Sequence, residues 1–341
     1  MADINIIELA KDLNLSKSTV SRAFRNNSGI NKETKERILA RARELNFTPN
    51  HHASNLRIQK SNTIAVIVPE IANNFFSKAI NGIEQVAKKN GYSVLICLTD
   101  DEFEKEVSFV QNLSNGKVDG IIMSVSGEEQ DHSYLKMLQK KNIPLVFFDR
   151  VYEDIETAKV TTNDYESSFL ATEHLLQQGC KRIAYLVVNK NLSIGKTRMQ
   201  GYLDALDKYG IETDDNLVVD CSNELTQNIS ILSDTFSKLR PDGVFASVER
   251  LAIATYYTCM ELNISIPEQV KVIGFSGLEI APLLNPALST IIQPAYNMGL
   301  EAADVLFKIL ADDETKADFA TRKVVLNSEL IQRKSSAVGT M

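Results

Sequence analysis

The first 50 residues alternate apolar and polar positions with a helical period. Four apolar side chains are spaced i, i+3, i+4 and i+7, which is the stripe of an amphipathic helix: Ile6, Leu9, Ala10 and Leu13. Asn14 follows, and asparagine tolerates a left-handed turn. Ser16 can then cap a second helix. The pattern predicts two short helices joined by a tight turn.

The second predicted helix has one apolar and one polar face. Val20, Ala23 and Phe24 form the inward face, and the other face carries Lys17, Ser18, Thr19, Ser21 and Arg22. A third helix is predicted from a cap near Asn31, with Ile38, Ala42 and Leu45 turned inward. Three helices of this kind make a helix-turn-helix head, and a generic three-helix bundle is the alternative.

The polar face of the second helix favours contact with DNA. Arg22 can form two hydrogen bonds with guanine in a major groove, and small hydroxyl side chains can hold phosphates. A solvated surface is the alternative for such a face.

From Thr63 the pattern changes to short apolar strands that alternate with helices. Strands are predicted at 63–68, 92–98, 120–123 and 145–148, and after a helix from Glu166 at 183–188, 218–219, 243–245 and 270–275. Strands alternating with helices imply parallel sheets, and the restart implies two similar lobes. Ligands of such sheets bind beyond the carboxyl ends of the strands, so a cleft between the lobes is expected.

Charge separates the head from the rest of the chain. Residues 1–60 contain 11 Lys or Arg and 6 Asp or Glu, whereas the whole chain has a net charge of −7. A basic head on an acidic body indicates that only the head meets a polyanion.

Several classes of protein are disfavoured. No apolar run approaches the roughly 20 residues of a membrane span, and residues 1–9 do not resemble a signal peptide, so a cytoplasmic location is expected. The four cysteines match no zinc or redox spacing and are expected to be reduced thiols. No glycine-rich phosphate loop, metal spacing or nucleophile with a base is apparent, so we expect no enzyme, metal or cofactor.

The stretch Leu15-Ser16-Lys17-Ser18-Thr19-Val20-Ser21-Arg22, preceded by Ile7-Glu8-Leu9-Ala10, resembles the LacI/GalR family of bacterial regulators. The similarity continues through Phe47-Thr48-Pro49-Asn50 and along almost the whole chain. The resemblance implies that Lys17, Ser18 and Arg22 read bases, while Ser16, Thr19 and Ser21 touch phosphate or cap the helix. Asn14 stands where the family commonly has glycine.

A hinge is expected after Pro49, as a short helix from His51 to Arg57 capped by Asn50. The resemblance implies that two such helices pair in the minor groove, with Asn50, Ala53 and Leu56 at the DNA. An apolar wedge between base steps bends the duplex in exchange for contact area. The alternative is that Leu56 packs on the domain behind it.

The implied fold class is an all-α helix-turn-helix head plus an α/β body like the periplasmic binding proteins, with two doubly wound parallel-sheet lobes. The expected domains are 1–49 for the head, 50–60 for the hinge and 61–341 for effector binding and dimerisation. Lobe 1 is expected at about 61–161 and 291–323, and lobe 2 at about 162–290 and 324–341.

Strand ends supply the candidate effector-binding residues. Phe75 and Phe76 follow the first strand, and one of these rings is expected to face the cleft unless both are core. Asp149 and Arg150 follow the fourth strand, as a local salt bridge or as a ligand-binding pair. Asp164 opens the second lobe, and Arg198 matches the family's ligand-binding arginine, a solvated helix arginine being the alternative.

Two positions depart from the sugar-binding members of the family. Val248-Glu249 stands where those members have Asn-Asp, and Ser276 stands where they have Asp after Gly-Phe. Four cations lie near the same rim in sequence: Lys190, Lys196, Arg198 and Arg250. The sequence therefore suggests an anionic or otherwise atypical effector, although Ser276 can still serve a sugar through its hydroxyl.

The sequence-based interpretation is a homodimeric regulator, more often a repressor in this family, that binds a palindromic double-stranded operator and a sugar, sugar derivative or anionic metabolite. The family gives carbohydrate metabolism as its context, and helices near Phe76 to Lys89 and after Ala281 as dimer surfaces. Two alternatives remain open: the same DNA binding gated by a partner protein, and a solute-binding protein, which would need an export signal and no basic head.

Overall fold

The computed structural model describes residues 4–24, 30–45, 47, 60–127, 131–188, 190–311 and 316–337. The chain divides into two compact units, Met1–Ser61 and Asn62–Met341. The predicted hinge residues Asn50, Ala53 and Leu56 lie outside the described residues.

The described part of the first unit contains three helices: α1 at Ile6–Asp12, α2 at Lys17–Phe24 and α3 at Lys32–Glu44. The predicted turn is confirmed, because Asn14 has a φ of 52° and the Ser16 hydroxyl accepts a hydrogen bond from the backbone N–H of Thr19 at 3.1 Å. The predicted cap of α3 is also confirmed, since the Asn31 side chain accepts from the N–H of Glu33 at 3.0 Å.

A small apolar core joins the three helices. Leu9, Val20 and Ile38 are fully buried, one from each helix, and alanines of all three helices pack around them. Burial of each large side chain contributes about 1.5–3 kcal/mol. The alanines let the helices approach closely, so three short helices suffice for a compact unit.

The described part of the second unit contains twelve strands and nine α-helices. The strands are β1 Thr63–Val68, β2 Ser93–Leu98, β3 Gly120–Met123, β4 Leu145–Phe148, β5 Ala158–Thr162, β6 Ile183–Val187, β7 Val218–Asp220, β8 Gly243–Ala246, β9 Lys271–Phe275, β10 Ser289–Ile292, β11 Lys323–Leu326 and β12 Glu329–Ile331. The helices are α4 Asn74–Lys89, α5 Phe103–Leu113, α6 Lys136–Lys140, α7 Asp164–Gln177, α8 Ser193–Lys208, α9 Leu225–Leu239, α10 Glu249–Glu261, α11 Ala295–Leu310 and α12 Lys316–Ala320. Among the described residues, no helix is long and apolar enough to cross a membrane. All four cysteines are free.

Two six-stranded sheets organise this unit. Lobe 1 has the order β11-β5-β4-β3-β1-β2, in which all neighbours are parallel. Lobe 2 has the order β12-β10-β9-β8-β6-β7, which is parallel except for the β10–β12 pair. The two predicted parallel-sheet lobes are confirmed.

The chain crosses between the sheets three times, after β5, after β10 and after β11. These places fall slightly later than the predicted 161, 291 and 323. The crossing segments are hydrogen-bonded to each other: Gln293 Nε2 donates to Thr162 Oγ1 at 3.2 Å, and the Ser328 N–H donates to Asn163 Oδ1 at 2.7 Å. These bonds hold the connections between the lobes together.

In lobe 1, α4 and α11 pack closely through glycines. A Cβ atom at Gly82 would lie 2.3 Å from the Tyr296 carbonyl oxygen, and one at Gly299 would lie 1.9 Å from that of Ala79. Only residues without a side chain permit this approach. The contact fixes α4, whose first turn faces the space between the lobes.

Candidate functional site: an inter-lobe cleft and an exposed helix face

A cleft of about 900 Å³, including space open to solvent, separates the two lobes. Its walls come from the carboxyl ends of strands in both sheets, where parallel sheets bind ligands. The polar and aromatic lining residues are Glu70, Asn73, Asn74, Phe75, Phe76, Lys78, Asp149, Arg150, Arg198, Asn223, Glu249, Arg250, Phe275, Ser276 and Gln293.

The cleft wall includes seven of the eight predicted effector-binding residues: Phe75, Phe76, Asp149, Arg150, Arg198, Glu249 and Ser276. The eighth, Asp164, is not part of the wall, and its direct contact with the effector stays a prediction. Its carboxylate is buried, accepts a hydrogen bond from Thr162 Oγ1 at 2.9 Å, and lies behind Arg198. Asp164 therefore positions Arg198.

Arg198 is held rigidly at the floor of the cleft. Its Nε donates to Asp164 Oδ1 at 2.7 Å, and its Nη1 donates to the Ser247 carbonyl oxygen at 2.6 Å. The guanidinium carbon lies 3.6 Å from the centre of the Phe275 ring. Nη2 also lies 2.7 Å from Asp164 Oδ1 but makes no hydrogen bond among the described residues. A buried N–H without an acceptor is a place for a ligand oxygen.

The two phenylalanines after β1 have different environments. Phe76 is 2% exposed and packs edge-on against Phe148. Phe75 is half-buried and meets Phe76 edge-on. The structure thus favours Phe75 as the ring available for stacking on a ligand.

The remaining arginines of the wall are paired with carboxylates. Arg150 binds Asp101, not its neighbour Asp149, so the alternative of a local Asp149–Arg150 pair is not what the structure shows. Arg250 of lobe 2 binds Glu70 of lobe 1. Asp101 has a φ of 60°, in the left-handed region, which indicates local backbone strain beside the cleft.

Asp149 is buried at the floor of the cleft and has a φ of 61°. Burial raises the pKa of this carboxyl to about 6, although Arg150 and Arg198 oppose the rise. Ser124 Oγ donates weakly to it at 3.5 Å, and the side chain of Gln293 is a second donor. A ligand that supplies hydrogen-bond donors would compensate the lost hydration of this group.

Glu249 and Ser276, the two departures from the family pattern, contact each other. Ser276 Oγ donates to Glu249 Oε2 at 2.9 Å, and Asn74 Nδ2 of lobe 1 donates to Glu249 Oε1 at 3.2 Å. Glu249 thus presents a carboxylate held in place by two neutral groups.

Only half of the predicted basic rim lies at the cleft, namely Arg198 and Arg250. Lys190 and Lys196 are absent from its wall, and Lys190 pairs with Asp220 at 2.6 Å. Sequence proximity to Arg198 was misleading because Lys190 precedes α8, and Lys196 lines a different pocket beside Tyr152 and Asp154. No cluster of three metal-binding side chains occurs within the described ranges.

Among the wall residues that were not predicted are Glu70, Lys78, Asn223 and Gln293. Glu70, Asn223 and Gln293 each lie just beyond a strand, so the strand-end rule could have found them. For Gln293 the preceding strand, β10, was itself not predicted.

In the separate first unit, α2 presents the predicted polar face to solvent. Lys17, Ser18 and Arg22 are exposed, and Ser16 Oγ lies 2.8 Å from the hydroxyl oxygens of both Ser18 and Thr19. Among the described residues neither Lys17 nor Arg22 is paired with a carboxylate. The face therefore offers cations and hydroxyls to an external partner.

A helix-turn-helix unit joined to a two-lobed binding unit defines a ligand-responsive DNA-binding regulator. Two family models match the chain: bacterial regulatory proteins of the lacI family at residues 5–50, and periplasmic binding proteins and sugar binding domain of the LacI family at residues 61–334. The chain belongs to the LacI family of bacterial transcriptional regulators.

Relatives match over nearly the whole length. The ribose operon repressor of Halalkalibacterium halodurans is 30% identical over 98% of this chain and 97% of its own. A LacI family regulator from Enterococcus faecium, solved with bound ribose, is 27% identical with a TM-score of 0.72, over 81% of this chain and 98% of that one. The lac repressor dimer bound to operator and an anti-inducer has the same fold, with a TM-score of 0.85 at 20% identity over 98% and 99% of the two chains. These relatives are named as regulators, not enzymes.

Proposed function

We propose that this protein regulates transcription, as a repressor, by binding a palindromic operator as a homodimer under the control of a small molecule in the inter-lobe cleft. The proposed domains are 1–49 for DNA reading, 50–60 for the hinge and 61–341 for effector binding and dimerisation. Because operator DNA of bacteria is cytoplasmic, the protein acts there, with no enzymatic step.

The exposed face of α2 carries the proposal for DNA binding. Lys17, Ser18 and Arg22 contact base edges, while Ser16, Thr19 and Ser21 hold phosphates or the helix cap. Lys17 and Arg22 are exposed and have no carboxylate partner among the described residues, so they can bind DNA without first breaking an ion pair. Asn50, Ala53 and Leu56 of the hinge contact the minor groove in the same proposal.

The cleft supports control by a small molecule. Its walls belong to two lobes, so a ligand that contacts both binds the closed arrangement better than the open one. The ribose complex of the Enterococcus relative supports a sugar or sugar derivative, and a role in carbohydrate metabolism, as the first class to consider.

Dimerisation is proposed through α4 and the segment after Ala281. Two large apolar side chains beside that segment are exposed, Ile280 at 51% and Leu283 at 81%. The operator-bound dimer of the lac repressor supports a two-fold arrangement. One head reads one half-site, so the dimer reads a palindrome.

Selection of bound duplexes from a random DNA pool by the full-length protein tests the proposal. We expect enrichment of one two-fold symmetric sequence. Enrichment of no sequence, or of an asymmetric single half-site, would contradict a dimeric sequence-specific regulator.

A further inference from the structure

The charges around the cleft are unevenly matched. The described wall contains four cations, and each has a carboxylate of its own. Lys78 lies 3.1 Å from Glu279, and Arg198 lies 2.7 Å from Asp164. Arg150 binds Asp101 and Arg250 binds Glu70. Each of these cations therefore has a carboxylate beside it, although the Lys78 pair is largely exposed and Arg198 keeps Nη2 for a ligand oxygen.

Two carboxylates of the described wall remain without a cation of their own, Asp149 and Glu249. Asp149 is buried and feels Arg150 and Arg198 only as charges shared with their own partners. Glu249 receives hydrogen bonds from the neutral groups of Ser276 and Asn74. The cleft and its paired neighbours thus carry six carboxylates against four cations.

This imbalance constrains the ligand. An anionic ligand would add negative charge beside two carboxylates that have no cation of their own, and at Arg150 and Arg250 it would have to compete with bound carboxylates. A ligand with several donors and one positive charge would instead satisfy both unmatched carboxylates. Phe75 offers a half-buried ring for the apolar face of such a molecule.

We propose that the effector is a polyhydroxyl compound bearing a protonated amino group, such as an amino sugar, whose ammonium is recognised by Glu249 and Asp149. This inference rests on the proposed function, in that it names the ligand class of the same cleft. It replaces the anionic effector suggested by the sequence, because the cations behind that suggestion are paired or lie elsewhere.

The pH dependence of binding follows from the surroundings of Asp149. The charged groups that face it are Arg150, Arg198 and Asp164, and burial raises its pKa to about 6. An ammonium ligand prefers the ionised carboxylate. Its affinity therefore falls as the pH is lowered through 6, whereas a neutral sugar loses less.

The test is calorimetric titration of the full-length protein at pH 7.5 with four matched sets of compounds. The first set is the amino sugars glucosamine, galactosamine and mannosamine, and the second is their parent sugars. The third is the N-acetyl derivatives, which keep the bulk of the amino group but lose its charge. The fourth is the 6-phosphates. We expect at least one amino sugar to bind about tenfold more tightly than its parent and its N-acetyl derivative, with no binding of the phosphates.

Glu249→Gln then tests the assigned residue, since it keeps size and removes charge. We expect the amino sugar to bind about tenfold more weakly while the parent changes less than about threefold. Glu261→Gln, an exposed change at the other end of the same helix, is the matched control and should change neither. Titration of the wild type with the amino sugar at pH 5 and 7.5 gives a second test that needs no variant, because the affinity should be lower at pH 5.

The outcomes separate the inference from the proposed function. A sugar, N-acetyl sugar or phosphate that binds as tightly as any amine overturns the inference, and if it alters operator affinity the proposed function stands. An unchanged preference in Glu249→Gln also overturns it. If no compound binds while the operator is still bound, both the inference and the part of the proposed function that assigns regulation by a small molecule fail.

Discussion

Arginine performs opposite tasks in the two units of this protein. Arg22 on α2 is exposed and, among the described residues, has no carboxylate partner. Arg198 in the cleft is 4% exposed, hydrogen-bonded to Asp164 and stacked on Phe275. The first is available to a polyanion, whereas the second is part of the wall that shapes a binding site.

The contrast shows that a residue type does not define a role until its partners are known. An unpaired surface cation can exchange water and counterions for phosphate or a base edge. A buried paired cation binds an external anion only by giving up its own carboxylate, at a cost of several kcal/mol. Hence the head suits DNA and the cleft suits a donor-rich ligand.

The largest expected effect is the loss of stability when the cleft arginine is replaced. Arg198→Ala leaves Asp164 as a buried charge without a partner, so the free energy of unfolding of the second unit should fall by about 3–5 kcal/mol. Urea denaturation followed by circular dichroism measures this loss. Lys208→Ala removes the ion pair with Glu173 at the exposed end of the same helix, and it should lower the free energy of unfolding by less than about 1 kcal/mol. Equal stabilities of the two variants would mean that the Arg198 pair is not structural.

A second substitution, Asp149→Asn, should raise the free energy of unfolding. Burial raises the pKa of Asp149 above its unfolded value of 3.8 to about 6, so the folded state binds a proton more tightly than the unfolded state. Stability is therefore lost as the pH rises from 4 through 6. Asp149→Asn should raise the free energy of unfolding at pH 7 by on the order of 2 kcal/mol, and asparagine tolerates the left-handed φ.

The pH profile provides the control for this prediction. The stabilisation of Asp149→Asn should shrink as the pH falls from 6 and should disappear well below 3.8, where Asp149 of the wild type is protonated in both states. A pH-independent gain would show that the carboxylate charge is not its cause.

In the head, Arg22→Ala should reduce discrimination between the selected operator and a scrambled duplex by about 10- to 100-fold, which corresponds to about 1–3 kcal/mol per lost base contact. Fluorescence anisotropy with both duplexes at one salt concentration measures it. Arg43→Ala, an exposed arginine on α3, is the matched control. Equal losses in both variants would indicate nonspecific attraction instead of base reading.

The smallest effect concerns the ion pair at the rim of the cleft. Glu279 is 76% exposed and Lys78 is 39% exposed, so water and salt screen their attraction. Glu279→Gln should change stability by less than about 1 kcal/mol, and the difference should vanish in high salt. A larger, salt-independent change would place this pair with the buried ones.

Much of the fold could be predicted because periodicity is a local signal. The caps at Ser16 and Asn31 and the early strands of each lobe appear in the structure where the sequence predicts them. The crossing strand β5 and the late strands β10, β11 and β12 were missed, because each mixes polar or charged residues with apolar ones, whereas β3 and β4 are wholly apolar runs. Helix α7 begins at Asp164, two residues before the predicted Glu166.

The partners of the cleft residues could not be predicted in the same way. Strand ends located Arg150, but its partner Asp101 follows a different strand, and Glu70 lies 180 residues before Arg250. Such pairs depend on the arrangement of strands and lobes, which no local pattern contains. The charge balance of the cleft, and hence the expected ligand class, required the structure.

The most direct test of the account measures the affinity of the full-length protein for its selected operator with and without a ligand that binds the cleft. The account predicts that the ligand changes operator affinity by about 5- to 150-fold and that the operator changes ligand affinity by the same factor. A ligand that binds the cleft tightly yet leaves operator affinity unchanged would contradict it.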